Sequence, residues 1–196
     1  MLLSNTYTDR KINLKLKKNA LTILSGANGA GKTTLLNALK AYCEEKDYAC
    51  LHWSDNMFGR GEAHNRLISQ PEVLAQVAFR SEGQCISGSL TIFVVSRIRQ
   101  IAKNHKGKKS FYILLDQLDS GLDAHTIVKY KQFFRDMVIP DLNKQGFSVY
   151  VVLSANSYEC AEGEYCVDCT TGKTVKLPSY ESFKSYIETF YEGEDE

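Results

Sequence analysis

The order of apolar and polar residues along the chain predicts strands that alternate with helices. Short apolar runs typical of buried strands occupy residues 21–24, 48–53, 111–115 and 147–153. Apolar residues at helical spacing predict helices over about 32–45, 85–103 and 123–142, the last of them interrupted near Pro140. Strands that alternate with helices favour an α/β fold, in which a mostly parallel sheet is flanked by helices.

The N-terminal region predicts an antiparallel hairpin. Residues 11–18, KINLKLKK, alternate between polar and apolar positions, as a half-buried strand does. A turn at Asn19 would return the chain into the strand at 21–24. We therefore expect these two strands to pair with each other, directly ahead of a glycine-rich segment.

The C-terminal region adds smaller elements to the predicted core. Its pattern predicts a hairpin over 165–177, a helix over 180–191 and a solvated acidic tail at 192–196. A chain of 196 residues is long enough for one substantial α/β domain and short for two. We therefore expect a single domain whose core spans about 10–160, with the hairpin and helix inside 161–191.

Composition limits the class of protein. Apolar residues make up 43% of the chain, charged residues 24%, and the net charge is +1, so a globular core is expected without a general affinity for nucleic acids or membranes. No apolar run approaches the roughly 18 residues that a membrane helix needs. The first residues lack the apolar stretch of a secretory signal, so we expect a cytoplasmic protein with no membrane partner.

Six scattered cysteines are then expected to be free thiols in a reducing compartment. Cys166 and Cys169 have the C-x-x-C spacing of a metal site, with Cys160 nearby. No second pair completes a zinc site, and the run alternates like a strand, so we expect these cysteines to be structural.

The strongest motif is GANGAGKT at residues 26–33, which matches G-x-x-x-x-G-K-[ST] between a predicted strand and a predicted helix. Glycines let several backbone N–H groups converge on one phosphate, and the helix N-terminus adds partial positive charge. The Lys32 ammonium suits the β- and γ-phosphates, and the Thr33 hydroxyl suits Mg²⁺. The motif predicts that ATP is bound by Gly26, Ala27, Asn28, Gly29, Ala30, Gly31, Lys32, Thr33 and Thr34.

Two further motifs follow along the chain. Ser81, Gly83 and Gln84 open the predicted helix at 85–103 and form a second potential anion site. The apolar run at 111–115 ends in Asp116, whose carboxylate can hold the hydration shell of Mg²⁺.

These motifs occur in the order found in the ATP-binding cassette (ABC) superfamily, which the chain resembles over roughly residues 10–160. Ser81 to Gln84 resembles the signature motif, with Arg80 and Glu82 as departures, and SGLD at 120–123 resembles the D-loop. The interval of 49 residues between Lys32 and Ser81 is too short for the helical insert of transporters. The chain is therefore similar to a compact head domain of the SMC and RecF kind, as found in phage and bacterial genomes.

The resemblance implies roles for further residues. Gln70 matches a glutamine that contacts Mg²⁺ or its water, although an ordinary surface glutamine is an equal alternative. Asn156 matches a histidine that senses the γ-phosphate, and it can hydrogen-bond phosphate without carrying charge. In the superfamily the signature serine caps the ATP bound by the other subunit, so the resemblance implies an ATP-dependent homodimer.

The resemblance also places Gln117 where a glutamate usually polarises the attacking water. Glutamine cannot accept a proton, so the catalytic set of Lys32, Asp116, Gln117 and Asn156 lacks its base, and slow hydrolysis is expected. Either the protein is a natural sensor, or a glutamate has been changed to glutamine. Because Thr33, Asp116 and Asp123 are retained, we favour the second account.

The leading hypothesis for function is an ATP-driven dimerisation switch in DNA metabolism or phage–host conflict. The alternative is a regulatory module that binds ATP, hydrolyses it negligibly and presents a surface to a partner. The basic run KNHKGKK at residues 103–109 is either a DNA contact or a solvated loop.

Overall fold

The computed structural model describes residues 1–5, 10–53, 85–117, 119 and 122–191. In chain order the elements are β1 (Leu2–Asn5), β2 (Arg10–Asn13), β3 (Ala20–Ser25), α1 (Lys32–Glu45), β4 (Ala49–Trp53), α2 (Cys85–Asn104), β5 (Ser110–Leu115), α3 (Ala124–Phe133), a π-helical turn (Phe134–Val138), α4 (Ile139–Lys144), β6 (Ser148–Ser154), α5 (Tyr158–Ala161), β7 (Tyr165–Asp168), β8 (Thr174–Val175) and α6 (Tyr180–Glu188).

A six-stranded sheet in the order β4-β5-β6-β3-β7-β8 forms the centre of the described chain. All neighbouring strands are parallel except β7 and β8, which form the predicted C-terminal hairpin. Strand β3 lies between β6 and β7, with Leu24 opposite Ser154 and Ser25 opposite Asp168. The prediction of an α/β fold with a mostly parallel sheet is confirmed.

An antiparallel N-terminal hairpin is also present, but its strands differ from those predicted. Strand β1 pairs with β2 in a separate two-stranded sheet, and β2 ends at Asn13. The predicted pairing of residues 11–18 with 21–24 is wrong, because β3 is flanked by β6 and β7. The reason is that Leu21, Ile23 and Leu24 are all buried, as suits a central parallel strand covered on both faces.

The helices follow the predicted spacing. Helix α1 has the predicted bounds and buries Leu35, Leu36, Leu39 and Cys43. The predicted interruption near Pro140 is a π-helical turn directly before α4. Proline lacks an N–H and its ring crowds the preceding turn, which is a recognised cause of such an interruption.

The core has two layers, one on each face of the sheet. In β5, Phe111, Ile113 and Leu115 contribute to one layer, whereas Tyr112 and Leu114 contribute to the other. Full burial of such side chains stabilises the fold by about 1.5–3 kcal/mol each. Because both faces of β5 are buried, its sequence is a continuous run of apolar residues.

The C-terminal hairpin leads into α6, which ends at Glu188, three residues before the predicted end. Ser179 begins the helix with a capping box: its hydroxyl accepts the N–H of Ser182, and the Ser182 hydroxyl accepts the N–H of Ser179. Among the described residues, no helix has the length and apolar character needed to cross a membrane. The single-domain division of the chain stays a prediction.

Candidate nucleotide site

The glycine-rich loop at residues 26–31, called the phosphate loop below, lies at the carboxyl edge of the parallel sheet. It follows β3, while Asp116 follows β5 and Asn156 lies two residues beyond β6. Because these strands are parallel neighbours, their carboxyl ends meet at one edge. A cleft of about 210 Å³ opens there, lined by Asn28, Gly29, Gly31, Lys32, Thr33, Thr34, Gln117 and Asn156. The structure therefore brings together residues that are 124 positions apart, Lys32 and Asn156.

The backbone of the phosphate loop requires glycine at three positions. Gly29 and Gly31 have φ angles of 82° and 87°, in the left-handed region that side chains disfavour. Gly26 has a φ of 156°, and a Cβ there would lie 2.6 Å from the Cys169 Sγ. Glycine is therefore required at position 26 by the backbone conformation and also by the lack of space for a side chain.

Lys32 is the buried cation of the site, with 7% of its surface exposed. Its Nζ donates to the carbonyl oxygens of Gly26 at 2.7 Å and Ala27 at 2.8 Å, which leaves one of its three donors. Burial lowers the pKa of Lys32, and the nearby carboxylates Asp119 and Asp116 oppose that shift.

The neighbouring thiol of Cys169 does not offset the positive charge of Lys32. Burial raises the pKa of Cys169 to about 12, so the thiol is neutral at pH 7 and provides no counter-charge to Lys32. Among the described residues, Asp119 and Asp116 are the carboxylates whose negative charge offsets that of Lys32. A polyphosphate in the cleft would supply negative charge to this cation.

Asp116 is fixed from two neighbouring strands. Its N–H donates to the carbonyl of Trp53 at 2.8 Å, and its Oδ1 accepts the hydroxyl proton of Ser154. The carboxylate is 4% exposed, and its second oxygen makes none of the described hydrogen bonds. With the Thr33 hydroxyl in the same region, this gives the hard oxygen donors that Mg²⁺ prefers.

Gln117 adopts a left-handed conformation, with a φ of 51°. Its N–H donates to the Ser154 Oγ at 2.8 Å, and its exposed side chain lines the cleft. Sequence reasoning missed Ser154, although a polar residue at the end of the apolar run in β6 was an available signal.

Asp119 was also missed. Its Oδ2 accepts the backbone N–H of Asn156 at 2.7 Å, which ties the loop after β5 to the loop after β6. Its Oδ1 is buried and has no hydrogen-bond partner among the described residues. Asp119 thus positions Asn156 and keeps a free acceptor near Lys32.

Several predicted site residues lie outside the described residues: Gln70, Ser81, Gly83, Gln84, Ser120 and Gly121. Asp123 is described, and its carboxylate caps α3 by accepting the N–H and hydroxyl of Thr126, both at 2.8 Å. These hydrogen bonds lower the pKa of Asp123.

Cys166 and Cys169 do not face each other. Cys166 packs in one core layer and its thiol donates to the carbonyl of Ala161, whereas Cys169 packs in the other layer against the phosphate loop. Within the described part of the chain, no cluster of histidine, cysteine and acidic residues suits a metal ion.

The parallel sheet, the phosphate loop at its carboxyl edge and the aspartate at the end of a neighbouring strand define a P-loop ATPase. The sequence matches the family model described as an AAA domain over residues 5–149, well over half of the chain. The chain therefore belongs to this family of ATPases of the SMC and RecF-like kind. No curated protein matches the sequence.

The residues present fit ATP with Mg²⁺. Gly29 and Gly31, which have no side chains, line the cleft together with the buried Lys32. The Asp116 carboxylate and the Thr33 hydroxyl are oxygen donors of the kind that Mg²⁺ prefers. Membership of the family implies ATP binding in general; the assignment to these residues follows as a proposal.

Proposed function

We propose that the protein binds ATP with Mg²⁺ in the cleft at the carboxyl edge of the sheet and works as an ATP-dependent homodimer. One observation carries this proposal: the phosphate loop, Lys32, Asp116, Gln117 and Asn156 all meet at one edge. The loop N–H groups and the α1 N-terminus suit the phosphates. Mg²⁺, held by Thr33 and Asp116, would neutralise charge on the β- and γ-phosphates.

Hydrolysis in this site is slow, because neither Gln117 nor Asn156 can act as a general base. The Gln117 side chain can still orient a water molecule by hydrogen bonding. The loss of general-base catalysis costs roughly 10²–10⁴-fold in rate. Such a protein spends most of its time with ATP bound.

The dimer follows from the motif at Ser81, Gly83 and Gln84, which precedes α2. In the ABC superfamily this motif caps the ATP of the other subunit across a two-fold interface. Each ATP then joins two copies of the chain, and slow hydrolysis gives the dimer a long life.

A basic surface supports a role with DNA. Lys103, Lys106 and Lys109 are exposed at the amino edge of the sheet, and Lys108 is paired with Asp47. Lys18 is exposed at the same edge before β3, next to Asn19, which exchanges hydrogen bonds with Val149. Lys109 lies on this edge too, because its carbonyl accepts the N–H of Ser148.

This surface is about 20 Å from the cleft, the length of a six-residue strand. A DNA backbone could therefore bind it without competing with ATP. We propose that the ATP-dependent dimer acts on DNA, in DNA metabolism or in phage–host conflict.

The alternative function is an ATP sensor that presents a partner surface. The observation that favours it is the lack of a titratable base at both positions 117 and 156. The two hypotheses differ in one respect: the switch must hydrolyse ATP to function, whereas the sensor only has to bind it.

Steady-state ATPase measurements with and without DNA, using four proteins, test the proposal. The wild type should turn over slowly, and Gln117→Glu should raise the rate at least about tenfold by restoring the base. Lys32→Ala should abolish both turnover and the thermal shift caused by ATP, whereas Lys40→Ala, on the same helix and paired with Glu44 at its surface, should leave both unchanged.

The outcomes separate the hypotheses. A full thermal shift in Lys32→Ala would exclude the phosphate loop as the ATP site. A measurable rate that is the same in the wild type and Gln117→Glu would show that Gln117 does not occupy the position of the base. ATP binding with no turnover in either the wild type or Gln117→Glu would favour the sensor.

A further inference from the structure

The carbonyl oxygen of Ser25, at the start of the phosphate loop, accepts two hydrogen bonds from the C-terminal part of the chain. The N–H of Cys169 donates to it at 3.0 Å, and the hydroxyl of Tyr186 lies 3.2 Å away. Both acceptor positions of this carbonyl are thus engaged. Because the peptide unit is planar, these contacts also fix the direction of the Gly26 N–H.

Tyr186 is itself held in place by Asp168. The Tyr186 hydroxyl also lies 3.0 Å from the Asp168 Oδ2, so its single proton is shared between this carboxylate and the Ser25 carbonyl in a three-centre hydrogen bond. The Asp168 Oδ1 accepts the N–H of Thr170 at 2.7 Å and the N–H of Thr171 at 2.8 Å. The carboxylate therefore cannot turn away without breaking the turn that follows β7.

The pKa shifts of Asp168 and Tyr186 keep the carboxyl ionised and the hydroxyl protonated, which are the forms that this hydrogen bond requires. Burial alone would raise the pKa of Asp168, but the hydrogen bonds from Thr170, Thr171 and Tyr186 lower it. Burial, together with the charge of Asp168, raises the pKa of Tyr186. At neutral pH the tyrosine therefore remains a donor and the aspartate an acceptor.

The same C-terminal part of the chain packs against the phosphate loop at two more points. The Cys169 thiol donates to the carbonyl of Ala30 at 3.4 Å, and it occupies the space beside Gly26. The Phe190 ring also lies beside Gly26, and it stands perpendicular to the Tyr186 ring with centroids 5.3 Å apart. The loop is thus supported at both of its ends.

We propose that Tyr186, held by Asp168, is a positioning residue that presets the phosphate loop for nucleotide. This inference rests on the proposed ATP site and extends it to the hairpin and helix at the end of the chain. A loop that is fixed before binding loses less conformational freedom when the phosphates arrive, which increases affinity. The C-terminal elements are then part of the nucleotide site and not an appendage to it.

The test compares two tyrosine variants of the full chain. Tyr186→Phe removes the hydroxyl that reaches Ser25 and Asp168. Tyr158→Phe is the matched control, because its hydroxyl donates to the carbonyl of Pro178 at 3.1 Å and anchors the start of α6 without contacting the loop. Both variants lose one hydroxyl bond to the same C-terminal segment.

Tyr186→Phe should weaken the affinity for ATP and for pyrophosphate by about three- to tenfold, the effect of one hydrogen bond. Tyr158→Phe should leave both affinities unchanged. In the absence of nucleotide, hydrogen exchange at residues 26–31 should be faster in Tyr186→Phe than in Tyr158→Phe. A variant that only lowered the free energy of unfolding would lower the melting temperature. It would leave the affinities for ATP and pyrophosphate and the local hydrogen exchange of the loop unchanged.

The inference is overturned if Tyr186→Phe keeps the wild-type affinities, or if both variants lose affinity equally. Wild-type protein and Lys32→Ala serve as references. If wild-type protein does not bind ATP, the proposed function fails along with the inference. If the wild type binds, Lys32→Ala does not, and Tyr186→Phe behaves as wild type, only the inference fails.

Discussion

The hydroxyl oxygen of Ser154 accepts the backbone N–H of Gln117 at 2.8 Å. The same hydroxyl donates its proton to the carboxylate of Asp116. A single side chain at the end of β6 therefore holds both the proposed metal ligand, Asp116, and Gln117, which we propose to occupy the position of the catalytic base. Because Gln117 has a φ of 51°, its backbone would need such support to keep this conformation.

Replacement of Ser154 should disturb both neighbours. Ser154→Ala leaves a buried carboxylate oxygen and a backbone N–H without their partner, which should lower the free energy of unfolding by about 1–3 kcal/mol. The affinity for ATP with Mg²⁺ should fall as well, since Asp116 is no longer oriented. Chemical denaturation and calorimetric titration measure the two effects. Ser148→Ala, at the other end of β6, is the control and should change neither; an unchanged ATP affinity in Ser154→Ala would contradict the prediction.

Replacement of Gly26 should abolish nucleotide binding through crowding. Gly26→Ala would place a Cβ 2.6 Å from the Cys169 Sγ, at a φ that side chains disfavour. Gly146→Ala is the control for backbone strain alone, because its φ is 92° and nothing lies within 4 Å of its Cβ. Both variants should lower the melting temperature, but only Gly26→Ala should lose the thermal shift with ATP.

A double variant separates crowding from strain at Gly26. Cys169→Ala removes the sulfur that a Cβ at position 26 would meet, so Gly26→Ala combined with Cys169→Ala should regain part of the ATP binding. If the double variant binds no better than Gly26→Ala, crowding by the Cys169 sulfur is not what makes the glycine necessary.

The proposed homodimer should depend on nucleotide. Light scattering should give the mass of one chain without ATP and of two chains with ATP and Mg²⁺. Ser81→Arg places a bulky cation in the motif that contacts the partner's γ-phosphate in the superfamily, and it should remain monomeric while still binding ATP. An equal mass with and without ATP, or a dimer of Ser81→Arg, would exclude this arrangement.

The basic surface should bind DNA through its charge. Reversal of Lys106, Lys108 and Lys109 to glutamate should weaken DNA binding strongly and reduce its dependence on salt concentration, because fewer counterions are released. Fluorescence anisotropy over a range of salt concentrations measures both. Reversal of Lys173, Lys176 and Lys184, also exposed, is the control with the same change in net charge. Equal losses in the two triple variants would indicate a general charge effect without a defined DNA surface.

Much of the fold was predictable, because the signals are local. Helix α1 has the predicted bounds, since a glycine precedes it and its apolar residues recur at helical spacing. Strands β5 and β6 were found from their apolar runs. The partner of the N-terminal strand was predicted wrongly, because an alternating pattern indicates a strand with one buried face but does not encode which strand it pairs with.

The sequence by itself determined the class of the site, because the phosphate loop and Lys32 are contiguous along the chain and their spacing is dictated by the phosphates. Only the tertiary structure decided what supports that loop. Ser25 and Tyr186 are 161 positions apart, and they meet because β7 pairs with β3 and returns the chain to α6. Strand order is set by the packing of the whole core, so no local pattern could have assigned this contact.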